Sequence, residues 1–112
     1  MKSYRIMIVV FSMFLSILFL YGAAKAQAQT SNAARAMKII NANGCLSCHT
    51  INGVGGTIGP ALSTEGAKGH SIHWLEVQIK NPGDHNPSSI MPHFHLKPAQ
   101  LETVAEYLES LK

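Results

Sequence analysis

Charge is scarce in this chain. Only 13% of its 112 residues are charged while 46% are hydrophobic, which excludes the highly charged, poorly hydrophobic composition of a disordered segment. Arginine is limited to Arg5 and Arg35, so a phosphate-tracking groove, and with it a nucleic-acid partner, is not expected. The formal charge of +3 is a local effect: Lys2, Arg5 and Lys25 fall in the first 26 residues, which contain no Asp or Glu. Beyond them, six basic residues face six acidic ones. Cysteine is nearly absent too. Cys45 and Cys48 are the only pair, and a bond between them would close a trivial loop, so a disulfide framework is excluded. No segment alternates in the manner of a strand, and no internal repeat is present. The glycines of Asn52–Pro60 do not fit the dinucleotide pattern G-x-G-x-x-G, because counting from Gly53 the last position is Ile58.

What the chain does have is one long apolar run. Two positive charges in Met1–Arg5 precede Ile6–Leu20, which is interrupted only by Ser12 and Ser16. Small residues follow, with Ala24-x-Ala26 and Ala26-x-Ala28 as cleavage sites. This order of charged, apolar and small-residue regions reads as a secretory signal peptide over residues 1–26, cut after Ala26 or Ala28. The competing reading is an uncleaved anchor, for which the run is short, since a spanning helix needs roughly 20 apolar residues. Either way the remainder is expected in the periplasm or another exported, oxidising compartment. It touches a membrane only if the segment is retained.

The remaining chain of about 84 to 86 residues is near the size at which a polypeptide core alone is marginal. With no disulfide framework, a buried cofactor is the expected compensation. Residues 27–32 read as a flexible leader and 33–112 as the folded domain. Ser31 or Asn32 is positioned to cap a helix ending near Asn43, with Ala33, Ala36, Met37 and Ile40 on one face and Gly44 at its end. Ser71 is positioned to cap a second helix, Ile72 to about Lys80, stopped by Asn81-Pro82-Gly83. Pro98 opens a last helix to Leu111, with Leu101, Val104, Ala105, Leu108 and Leu111 as its stripe. The expected class is all-α: three to four short helices joined by long loops.

The chemistry is concentrated in Cys45-Leu46-Ser47-Cys48-His49. A C-x-x-C-H run reads as covalent c-type haem attachment. Each thiol adds its S–H across a vinyl group to give a thioether, and two intervening residues make about one turn, which sets both sulfurs under adjacent edges of the macrocycle. The next residue, His49, then aims its imidazole at the iron. Three plainer readings compete. A redox dithiol expects a βαβ context, which is missing. A structural zinc site wants a second compact ligand pair. A lone disulfide would add little.

Taken together, Gly44-Cys45-x-x-Cys48-His49, Gly59-Pro60-x-Leu62, Met91-Pro92-x-Phe94 and a final helix ending Tyr107-Leu108-x-x-Leu111 resemble the monohaem class I c-type cytochromes over about residues 33–111. The resemblance implies a small all-α domain folded around one covalent haem c. It implies that the Pro60 carbonyl accepts from His49 Nδ1–H, fixing the tautomer and strengthening the ligand. It also implies Met91 as the distal ligand, 42 residues after His49. A neutral thioether favours Fe(II) and raises the potential. His85, His93 and His95 are the rival ligands, and bis-His ligation would lower it. Leu62, Trp74 and Phe94 are expected to line the haem, backed by Leu75, Ile79, Ile90, Leu101, Leu108 and Leu111, and Trp74 is a candidate donor to a propionate. One departure stands out: Ala36 and Ile40 occupy first-helix positions where the family often has a glycine and an aromatic.

The function implied is that of an exported one-electron carrier, not an enzyme, exchanging electrons with redox partner proteins through a haem edge. The alternatives are a haem subunit of a larger exported oxidoreductase or terminal oxidase, and, were Met91 not a ligand, a haem sensor or peroxidase.

Overall fold

The structure, a computed structural model, describes residues 1–112. Its order is α1 (Lys2–Ala42), β1 (Thr50–Ile51), β2 (Val54–Gly55), α2 (Ile72–Lys80) and α3 (Pro98–Ser110), with single 3-10 turns at Cys45–Ser47, Glu65–Lys68 and Pro82–Asp84. It divides into two compact units, Met1–Ser31 and Asn32–Lys112. The first is a solvent-exposed stretch of helix. It includes a window of mean hydropathy 2.4, none of it buried.

The second unit is the small all-α domain the sequence implies. Its core is formed by Ala36, Ile40, Ile51, Leu75, Ile79, Val104, Ala105, Tyr107 and Leu108. The helical spacings anticipated for the three segments therefore select the buried faces. Ala36 is fully buried and Ile40 is 2% exposed, in the same cluster as Val104, Ala105 and Tyr107 of α3. Tyr107 thus supplies an aromatic to the core from the last helix. Asn32 Nδ2 adds a bond of 3.2 Å to Glu106 Oε2.

The local rules account for most boundaries. Gly44, at φ 71, takes the left-handed conformation that ends α1 without a Cβ penalty. Ser71 Oγ accepts from Trp74 N–H at 3.1 Å, capping α2. Pro98 occupies the first turn of α3, and the Gln100 side chain accepts from Lys97 N–H at 3.1 Å.

Two features differ from the sequence reading. Neither Ser31 nor Asn32 caps a helix, because α1 runs unbroken through 27–32, where a flexible leader is expected. The segment Gln27-Ala-Gln-Thr-Ser-Asn contains no Gly or Pro to stop a helix already under way. The glycine-rich stretch also contains a minimal hairpin, pairing Thr50 with Gly55 and Ile51 with Val54. Its turn is Asn52-Gly53, at φ 50 and φ 80. Two consecutive positive φ values are what a two-residue type I′ turn requires.

Candidate haem site

The Cys45–Ser47 turn brings the two cysteines and His49 to one end of the domain. His49 N–H donates to the Cys45 carbonyl at 3.0 Å, as does Cys48 N–H at 3.2 Å. Both thiols are free and half-buried. Burial pushes the Cys45 thiol above its ordinary range, partly opposed by a backbone hydrogen bond.

A glycine-rich strap is laced to this turn almost wholly by backbone atoms. Gly56 N–H donates to the Leu46 carbonyl and Gly59 N–H to the Cys48 carbonyl, both at 2.8 Å. Leu62 N–H reaches the Thr50 carbonyl at 2.8 Å, and Thr50 Oγ1 donates to the Gly56 carbonyl at 2.6 Å. The strap ends by presenting the Pro60 carbonyl 2.8 Å from His49 Nδ1. A carbonyl only accepts, so the proton is on Nδ1 and the Nε2 lone pair is left for a metal. The approach depends on Gly59: a Cβ there would lie 2.6 Å from His49 Cε1 and 2.7 Å from Nδ1. Gly55 and Gly56 are equally confined, against the backbone of His49 and Ser47.

Leu46, Leu62, Trp74, Phe94 and Leu96 pack on the core yet remain partly exposed. Met91 is half-buried in the segment before α3. That segment is tied to α2 by Phe94 N–H donating to the Ile79 carbonyl at 3.3 Å. A second tie is Gln78 Nε2, which lies 3.7 Å from Met91 Sδ. Two free thiols, a histidine with its tautomer fixed and a set of half-covered apolar side chains fit a covalently attached haem.

The cytochrome c family model matches residues 33–112, well over half of the chain. The chain belongs to the cytochrome c family. No curated protein and no solved structure matches it. As a cytochrome c it binds covalent haem c and has an electron-transfer role with redox proteins as partners.

Two further features of this cytochrome's site stand out. Ile90 is 85% exposed. It sits in a Pro-flanked loop with no periodicity to bury it. Trp74 is not simply packed against aliphatic core: its ring lies between two imidazoles. His70 stacks on one face with centroids 3.7 Å apart and planes 8° from parallel. His85 stacks on the other at 4.2 Å and 6°. His93 and His95 are exposed. Sequence reasoning missed Gln78 entirely. Its spacing of four from Trp74 on α2 puts both on one helix face, but nothing in the sequence marks that face as the one Met91 meets.

Proposed function

We propose that this cytochrome c is an exported monohaem one-electron carrier with His/Met ligation. The bound haem would supply an iron that alternates between Fe(II) and Fe(III). Cys45 and Cys48 hold it through thioethers. His49 Nε2 and the Met91 thioether would hold the iron. The Pro60 carbonyl fixes the His49 tautomer and increases its donor strength. Leu62, Trp74 and Phe94 exclude water from the haem faces, which lowers the local dielectric and lessens reorganisation on electron exchange. Side chains holding the iron on both sides would leave no place for a substrate, which supports a carrier role rather than an enzymatic one. The near balance of six basic and six acidic residues beyond residue 26 favours brief docking with little electrostatic steering.

The single observation that carries this reading is the 2.8 Å contact between His49 Nδ1 and the Pro60 carbonyl, which leaves one ring nitrogen free beside the two thiols. In the experiment that tests it, the chain is expressed with haem-attachment machinery and extracted with acidified acetone. Colour is expected to remain with the wild type and to be lost in the Cys45→Ala/Cys48→Ala double variant. Reduced wild type is expected to ignore carbon monoxide, whereas Met91→Ala binds it and drops in potential. Carbon monoxide binding to the wild type would reject the ligand assignment and favour a sensor or peroxidase.

The apolar window of α1, with hydropathy 2.4, bears on location. Residues 1–26 are read as a signal peptide cleaved after Ala26 or Ala28, releasing 27–32 and the domain 33–112 to the periplasm or its equivalent. Retention of that segment makes an anchored haem subunit the second reading, and the intact mass of the purified protein separates the two.

A further inference from the structure

The chain has six histidines, and four of them have a ring or polar partner. His49 faces the Pro60 carbonyl, and His70 stacks on Trp74. His73 Nδ1 lies 3.8 Å from Glu76 Oε2, and His85 Nδ1 lies 3.0 Å from Gln78 Oε1. His93 and His95 have no such partner. Both are exposed, whereas Phe94 and Leu96, which alternate with them, are half-covered and pack on the core. No helical turn interrupts residues 89–97. Successive side chains of an extended chain point to opposite faces, so burying Phe94 and Leu96 turns both imidazoles to solvent on one side. The segment is pinned in that register. Pro92 fixes its own φ ahead of His93. Between the two histidines, Phe94 N–H donates to the Ile79 carbonyl at 3.3 Å. Beyond them, Lys97 N–H donates to the Gln100 side chain at 3.1 Å.

We infer that His93 and His95 form a two-imidazole surface site for a borderline divalent transition-metal ion, with copper(II) the preferred occupant. Residues i and i+2 of an extended chain are about 6.6 Å apart along the strand. Two nitrogens that each lie about 2.0–2.1 Å from one ion are roughly 3 Å from each other, a separation the two rings reach by ordinary side-chain rotation. Because the backbone is already fixed, closing the pair on an ion orders only the two side chains. The donor set selects the ion. Imidazole nitrogen suits copper, nickel and zinc, whereas calcium and magnesium take oxygen ligands. The acidic residues nearest in the chain are Asp84 and Glu102, so the segment itself supplies no carboxylate. At equal ligation copper(II) is bound most tightly of the three. Water completes the coordination of an ion at this exposed position. Lys97 follows at the next place on the same side and is also exposed, and its ammonium opposes the bound cation. The pair depends on the pinned segment alone, and the inference is independent of the reading of Met91 as an iron ligand.

The test titrates copper(II) chloride into the oxidised holo protein in a non-chelating buffer, so that the haem has no electron to pass to the copper. Calorimetry reads affinity and stoichiometry, and electron paramagnetic resonance reads the ligands through nitrogen hyperfine structure. Wild type is expected to bind one equivalent with two imidazole nitrogens on the copper. His93→Gln and His95→Gln are each expected to weaken binding by about tenfold or more and to leave a single imidazole nitrogen. Both side chains are exposed, so the haem spectrum and the melting temperature of these two variants are expected to match wild type, which separates loss of the site from loss of the fold. Lys97→Gln is expected to tighten binding by about twofold to fivefold. His73→Gln and His85→Gln, which change histidines outside the pair, are expected to bind copper as wild type does. Absence of one-equivalent binding in wild type overturns the inference. So does unaltered affinity in both His93→Gln and His95→Gln. An equal loss in all four histidine variants is the mark of diffuse surface binding and overturns it as well.

Discussion

Replacing Gly59 with alanine is a direct probe of the strap, because the backbone there is not in the left-handed region and only space is at issue. The new Cβ would lie 2.6 Å from His49 Cε1 and 2.7 Å from Nδ1, whereas carbon atoms in contact sit about 3.5–4.0 Å apart. Either the imidazole or the strap must therefore move by roughly 1 Å. A shift of that size carries the contact between His49 Nδ1 and the Pro60 carbonyl, now 2.8 Å, outside hydrogen-bonding range. Loss of the bond costs about 1–3 kcal/mol, and forced overpacking about 1–3 kcal/mol more. In a domain this small each kcal/mol lowers Tm by about 4–8 °C, so a fall on the order of 10–50 °C is expected. The potential should rise, because a histidine without its Nδ1 acceptor donates less to iron and stabilises Fe(III) less. Melting followed in both the haem absorbance and the far-ultraviolet dichroism measures the first effect, and potentiometric titration the second. Gly53→Ala is the control. Position 53 has no neighbour within 4 Å but sits at φ +80, so it is expected to cost about 1–2 kcal/mol from backbone strain alone and to leave the potential where it was. If Gly59→Ala melts within about 3 °C of wild type with an unaltered potential, the steric reasoning about the strap is wrong.

Two further changes test the scaffold. Ser71→Ala removes the side-chain acceptor for Trp74 N–H and should lower stability by about 1 kcal/mol, read by denaturant titration, while Ser71→Asp retains the cap and most of the stability. Ala36→Leu forces extra carbon atoms into a position with no exposed surface. It should destabilise by about 1–3 kcal/mol, with the haem spectrum intact in the folded fraction.

The parts of this molecule governed by near neighbours in the chain were legible before any coordinates. Ser71, Pro98 and Gly44 act where a cap, a first-turn proline and a terminating glycine belong, and the stripes of Ala36 and Ile40, Leu75 and Ile79, and Val104 and Leu108 all turn inward. The attachment motif is contiguous, so it too needs no tertiary knowledge. The Asn52-Gly53 turn had a local signature, but flanking strands of two residues each are too short to show alternation. The continuity of α1 across 27–32 was hidden for the opposite reason: polar composition suggests a leader, yet nothing in it breaks a helix. The line from Trp74 through His85 and Gln78 to Met91 was out of reach of the sequence. It joins residues from a helix and two loops whose approach is decided by the packing of α2 and the Pro-rich segment. The exposure of Ile90 is lost to the same cause.

The lacing of the strap through main-chain atoms has a practical corollary. Thr57 and Ile58 sit between the tethers at Gly56 and Gly59, and Ile58 is 71% exposed, so their side chains carry none of the fastening. That dipeptide is a place where a linker or dye can be installed for wiring the protein to an electrode, close to His49 and without loosening its seat.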